Sequence, residues 1–222
     1  MSEKTENRTR DQLLSASLTA FGNKDYDAVS TREIVEQAGA NISAISYHFG
    51  GKKPLYLETA AYLARTLQQK MAPALEQIDA PQDEHDPALC RQRIEQLIAT
   101  MVEHVVVGEL SADAAGFIFR EQLKPTEAFD VLYQELLQPM QQRYARLLAC
   151  IFDCAEEDHT IKLITHALLG QIIIFRVGQT TILRQLHYEQ FTHDDCTLIT
   201  RLITRQTLAA IDAHLQQEFS HA

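Results

Sequence analysis

The sequence predicts an all-α protein, and three observations carry that prediction. Residues 30–53 spell two short helices separated by a glycine turn. Residues 9–22 place Leu13, Leu14, Leu18 and Phe21 at helical spacing. Near the C-terminus, residues 158–177 and 194–217 repeat apolar side chains over faces wider than one core contact needs. The implied architecture is an N-terminal three-helix domain over residues 1–53, joined to a larger helical domain over residues 54–222.

Taken in order, residues 1–7 read as a mobile arm. Arg8 and Arg10 follow it, either reaching toward a phosphate or the minor groove of a duplex or ending as solvated terminal residues. The first helix, 9–22, backs the two short helices, and 22–29 is a loop over a packed Tyr26. Ser30 is placed to cap the next helix, with Glu33 as its reciprocal partner. Ile34, Val35 and Ala38 give that helix an apolar face, and Gly39 ends it with positive φ. Asn41 is placed to cap a further helix starting near Ile42, in which Ile45 and Phe49 point inward. The small or hydroxylated residues left on the outside suit a helix that approaches a surface closely. This is the helix-turn-helix pattern, whose second helix enters a DNA major groove; the same spacing also occurs in ordinary helical hairpins.

Gly50 and Gly51 break that helix, and a long one is predicted from Pro54 to Met71, with Pro73 bending or ending it. Residues 79–88 form an acidic, proline-containing loop. Helices are expected over 89–107, ended or closely packed at Gly108, over 111–122, and over 126–152 with a kink at Pro139. The two broad apolar helices at the C-terminus could either build the core of one chain or pair with their copies in a homodimer, as an intersubunit four-helix bundle. The candidate interface residues are Ile161, Leu168, Gly170, Ile172, Phe175, Leu202, Leu208 and Ile211.

Composition narrows the functional classes. The 222 residues carry a formal charge of -10. Residues 1–60 hold seven basic and eight acidic side chains, so the acidic excess lies almost wholly beyond them. A few directed phosphate contacts fit this distribution better than a broad cationic surface. No nucleophile elbow, HExxH segment, P-loop or dinucleotide-binding glycine pattern occurs, so no catalytic activity and no cofactor is expected. Asp83, Glu84, His85 and Asp86 read as a solvated turn, and His193-Asp194-Asp195 as a helix start. Cys90, Cys150, Cys154 and Cys196 fit neither a disulfide framework nor a metal site. With no signal-peptide pattern and no apolar run near 18 residues, the expectation is a cytoplasmic protein without a membrane partner.

Residues 8–70 resemble the DNA-binding region of the TetR/AcrR family of transcriptional regulators. The resemblance rests on Phe21-Gly22, Thr31-Arg32-Glu33-Ile34, Ala38-Gly39, Tyr47-His48-Phe49, Lys52 and Leu55. Two positions depart from the family pattern: Ser46 replaces the first of two aromatic residues, and Ile42 stands where Lys or Arg is common. The resemblance implies that Thr31, Tyr47, His48 and Lys52 hold the phosphate backbone of double-stranded operator DNA. Ser43 and Ser46 would then face base edges, with Ile42 and Ala44 toward thymine methyl groups.

The segments Phe119-Arg120-Glu121-Gln122, Pro125-Thr126, His166-Ala167-Leu168-Leu169-Gly170 and Phe175-Arg176 are similar to a narrower, CecR-like subgroup. The TetR/AcrR resemblance implies a homodimer joined through the last helices, and repression relieved when a small-molecule effector binds the C-terminal domain. Met101, Phe117, Arg120, Tyr133, His166 and Arg176 are the candidate pocket residues, as polar or adaptable groups within apolar helices; each can equally serve packing or ion pairing. A helical adaptor that binds protein and has no DNA sequence preference is the alternative.

Overall fold

The computed structural model describes residues 2–79, 86–107 and 110–220, with side chains over 6–79, 86–106 and 110–216. The described elements are all helical. By contact the chain divides into two compact units, Met1–Lys70 with Leu110–Gln138, and Met71–Glu109 with Pro139–Ala222.

The first unit contains α1 (Ser2–Asn23), which takes in residues 2–7 of the stretch expected to form a mobile arm, while Met1 lies outside the described residues. A 3-10 turn, Tyr26–Ala28, leads to α2 (Thr31–Ala38), α3 (Ser43–Phe49) and α4 (Lys52–Ile78). Pro73 is accommodated inside α4, which runs seven residues beyond the expected Met71. The core of this unit gathers Leu13, Leu14 and Phe21 of α1, Ile34 and Val35 of α2, Ile45 of α3, and Leu55 and Leu63 of α4, all buried. Ser17 sits in the same interior, where its hydroxyl meets that of Thr59 at 2.7 Å. With one proton apiece, one hydroxyl donates to the other and the second donates to its helical carbonyl, that of Leu14 for Ser17 or Leu55 for Thr59, so the pair is satisfied without water.

Two later helices, α6 (Ala112–Leu123) and α7 (Glu127–Leu132), belong to this unit as well. Here α6 lies along α1 at a separation that only glycine allows. A Cβ on Gly22 would fall 2.3 Å from the Asp113 carbonyl oxygen, and one on Gly116 would fall 2.3 Å from the Gly22 carbonyl oxygen. Polar bonds lock the same seam. Arg120 donates to the Phe21 and Gly22 carbonyls at the end of α1 and pairs with Asp25 at 3.0 Å, while Asn23 donates to Asp113 at 2.7 Å. Glu121, fully buried, accepts from Tyr56 and from both the amide and the hydroxyl of Thr126. Phe21, Tyr26, Tyr56 and Phe117 form an aromatic cluster around these bonds.

A π-helical turn, Tyr133–Leu137, precedes the kink expected at Pro139. Proline has no amide to offer the carbonyl of Glu135 four residues back. That carbonyl instead accepts from the Gln68 side chain.

The second unit is built from the end of α4, α5 (Pro87–Met101), a π-helical turn (Val102–Val107), α8 (Gln138–Phe152), α9 (His159–Val177), α10 (Gln179–Leu186) and α11 (His193–Ser220). Its core joins Met71, Leu75 and Ile78 to Ile94, Leu97 and Ile98 of α5, Leu147 and Leu148 of α8, and Ile172, Ile203 and Ile211 of α9 and α11. Helix starts are capped as their residue types demand. Asp86 accepts from Ala88, Asp158 from Thr160 and Ile161, and Thr192 and Asp195 bond each other reciprocally. Asp86 is thus the cap of α5; Asp83, Glu84, His85 and Gly108 lie outside the described residues. Sequence reading missed α10, whose Ile182 and Leu183 pack on the core. Its stop signal is unusual: His187, not glycine, takes the left-handed conformation at φ 58°.

By length and composition α9 is apolar enough to cross a membrane, although Lys162, His166, Gln171 and Arg176 interrupt it and no continuous apolar run nears 18 residues. Its inward residues, Ile161, Leu168, Leu169 and Ile172, fill the core of the unit, which accounts for much of that apolarity.

Candidate nucleic-acid interface

The geometry of α2, the turn and α3 follows from four local choices. The Ser30 hydroxyl accepts from the Glu33 amide at 3.1 Å, which starts α2. The expected reciprocal bond from Glu33 is absent, because that carboxylate pairs with Lys24 at 2.6 Å. Gly39, at φ 62°, closes α2 in the left-handed region. Asn41 accepts from the Ser43 amide at 3.1 Å and from its hydroxyl at 3.2 Å, so α3 begins one residue later than expected.

One residue anchors α3 from within: Ile45 is 2% exposed. On the outside, Ile42 is 55% and Tyr47 73% exposed, and Ser43 and Ser46 are exposed with them. Ala44 and His48 are half-buried. Large apolar and aromatic side chains on an exposed, seven-residue helix cost solvation unless something covers them, and here they stand among hydroxyls suited to base edges.

The groups expected to meet phosphate are held by partners within the unit. Tyr47 donates to Glu6 of α1 at 2.8 Å, and that bond raises its phenol above the ordinary value. The Lys52 ammonium lies 4.3 Å from the centre of the Tyr26 ring. Thr31 is half-buried at the first position of α2, and His48 stacks edge-on against Tyr47 with centroids 4.9 Å apart. Glu6 and Tyr26 were not legible as part of this surface. Glu6 is distant in sequence from Tyr47, and only helical continuity of α1 to Ser2 brings it near.

Phe49 is half-buried rather than enclosed. Arg10 covers its ring at 5.4 Å and also bonds Glu58 at 2.7 Å. Glu58 receives Arg65 as well, at 2.8 Å; burial works to raise its carboxyl, but the hydrogen bonds from Arg65 and Arg10 outweigh it and hold it below the ordinary value. Partial exposure lowers the cost of losing the ring. Phe49→Ala is expected to destabilise the chain by about 2 kcal/mol, below the 3–5 typical of an enclosed phenylalanine. A urea titration giving the full core value would place Phe49 inside.

The remaining candidate residues divide between the units. Phe117 and Arg120 belong to the seam described above, and Tyr133 stacks on Phe129. In the second unit Met101 is buried, His166 is exposed beside Gln141 and the Lys162 carbonyl, and Arg176 donates to Gln179 at 2.6 Å. Burial within one chain also sorts the candidate interface residues. Ile161, Leu168, Ile172 and Ile211 are enclosed in the second unit's own core. Phe175, Leu202 and Leu208 are half-buried, and Gly170 is exposed. The exposed face of α9 carries Leu163, Gly170, Ile174 and Val177 at helical spacing, and Leu198 of α11 is half exposed.

Comparison with known proteins agrees with this geometry. Residues 13–59 match the model of bacterial regulatory proteins of the tetR family, and residues 90–214 match the C-terminal domain of the HTH-type transcriptional dual regulator CecR. The chain is 34% identical to the CecR of Shigella flexneri over 199 residues, 89% of this chain and 88% of that protein. Among solved structures it resembles the fatty acid degradation regulator FadR from Bacillus halodurans, with a TM-score of 0.61 at 13% identity over 90% of this chain and 94% of that one. It also resembles a transcriptional regulator from Aquifex aeolicus VF5, with a TM-score of 0.54 at 16% identity over 91% and 99%. At these identities the two structures support the fold alone. The helix-turn-helix geometry, the family match at the N-terminus and the near full-length relative together place the chain in the TetR family of bacterial regulatory proteins, as a DNA-binding transcriptional regulator.

Proposed function

We propose that the chain is a repressor of the CecR-like subgroup that acts in the cytoplasm as a homodimer on a partly palindromic operator and leaves it when a small molecule binds the C-terminal region. The observation that carries this reading is the surface of α3: Ile42, Ser43 and Ser46 face outward while Ile45 alone is sealed inside. A two-fold dimer would offer two such helices to successive turns of a duplex. The exposed stripe of α9, Leu163, Gly170, Ile174 and Val177, with Leu198 of α11, supports self-association through the last helices, in place of the residues enclosed in the core. The Shigella relative is named a dual regulator, so activation at some promoters is the alternative sign of regulation.

In this reading Thr31, Tyr47, His48 and Lys52 hold phosphates, and Ile42, Ser43, Ala44 and Ser46 meet bases. Tyr47 would exchange Glu6, and Lys52 the Tyr26 ring, for phosphate oxygens. Met101, His166 and Arg176 are the effector-pocket candidates within the second unit. Selection of bound genomic fragments, followed by titration, tests the reading. Lys52→Ala should weaken binding to all operator variants in nearly equal proportion and reduce the salt dependence by about one phosphate contact. Ser46→Ala should change the preference at particular base pairs. Binding without sequence preference would favour a protein-binding adaptor instead.

A further inference from the structure

A carboxylate of α1 stands directly against the outward face of α3. Glu6 accepts the Tyr47 hydroxyl at 2.8 Å, and both side chains are exposed, so the bond lies at the surface and not in the core. Helix-end electrostatics does not account for the acid. Position 6 lies beyond the first turn of α1, where the field of the helix start is felt.

The bond uses the chemistry that a phosphate would use. A phenol carries one proton and donates it to one acceptor at a time. Carboxylate and phosphate are both oxyanions, and each forms the stronger, charge-assisted kind of bond with such a donor. Glu6 and a phosphate oxygen are therefore alternatives for Tyr47, and their like charges oppose a shared site. The bond first, and the charge of Glu6 second, hold the phenol above its ordinary value, so Tyr47 stays a donor. Other outward cations of this unit are likewise held by carboxylates: Lys24 by Glu33 at 2.6 Å, Arg32 by Glu36 at 2.9 Å, and Lys53 by Glu127 at 2.7 Å. With seven basic and eight acidic side chains, residues 1–60 have no surplus of positive charge to mask the loss of one contact.

We propose that Glu6 is a built-in competitor of DNA, a positioning residue that occupies the Tyr47 donor in the free chain and must be displaced by every duplex. This deepens the reading above and rests on the phosphate role given there to Tyr47. The cost of displacement is the same on every sequence, so Glu6 lowers affinity without changing the order of preference. Complexes held by phosphate contacts alone are then the first to become too weak to persist.

The test is titration of the full chain, at one salt concentration, with a genomic fragment recovered by the selection above and with a random-sequence duplex of equal length. Glu6→Ala should tighten binding to both by about fivefold, the upper range for an exposed charged contact. Tyr47→Phe keeps the ring, removes the donor and should weaken both. In the Tyr47→Phe background, Glu6→Ala should then change little. A fivefold gain in both backgrounds would reduce Glu6 to long-range repulsion of DNA. No gain, or a loss, in the wild-type background would make the bond a structural tie between α1 and α3 only. Either result overturns the proposal. A weakened Tyr47→Phe beside an unchanged Glu6→Ala removes the competitor alone, whereas an unchanged Tyr47→Phe removes the phosphate role of Tyr47 and the competitor with it. A chain that binds neither duplex overturns both readings. Thermal midpoints of the variants, read alongside, separate a change in DNA contact from a loss of fold.

Discussion

Gly116→Ala is expected to destabilise the chain by about 3 kcal/mol, although alanine is ordinarily the better helix former by about 1 kcal/mol. The reason is the neighbour. The added methyl would lie 2.3 Å from the Gly22 carbonyl oxygen, and backbone cannot swing aside as a flexible side chain does. The two helices would have to part, and parting strains the Arg120 bonds to Phe21 and Gly22 and the Asn23–Asp113 bond together. The denaturant midpoint of the variant should therefore fall. A stabilised Gly116→Ala would mean that α1 and α6 lie farther apart than described.

The second large effect is expected at Glu121. This carboxylate is 1% exposed and accepts from Tyr56, the Thr126 amide and the Thr126 hydroxyl. Burial first, then the hydrogen bond and charge of Glu121, raise the Tyr56 phenol, which stays protonated as the donor. Glu121→Ala strands the phenol and the Thr126 amide without an acceptor and leaves a void, for an expected loss of about 4 kcal/mol. Tyr56→Phe takes away one donor and leaves Glu121 its two bonds from Thr126, so about 1–2 kcal/mol should be lost. Unfolding curves should rank the two in that order. Equal losses would mean that the carboxylate contributes only through the phenol.

Local chemistry made much of the N-terminal region legible. Ser30, Gly39 and Asn41 act within a few residues of themselves, so their capping and turn roles follow from residue type and spacing. Ile45 was identifiable as the inward anchor of α3 for the same reason. The partners of Tyr47, Lys52 and Phe49 were not, because Glu6, Tyr26 and Arg10 come from other elements. Nor did periodicity tell which apolar residues of α9 face their own core: Ile161 and Leu163 are equally apolar, yet one is buried and the other exposed.

Residue order alone was enough for the helical class, the helix-turn-helix and the family resemblance, since each is written in short-range spacing and in backbone preferences that neighbours settle. Folding decided that α6 and α7 join the N-terminal helices. That association needs two glycines 94 positions apart to meet, and an arginine to reach carbonyls at the end of a distant helix. Such contacts depend on how the chain returns upon itself, and no local pattern of residues records that path.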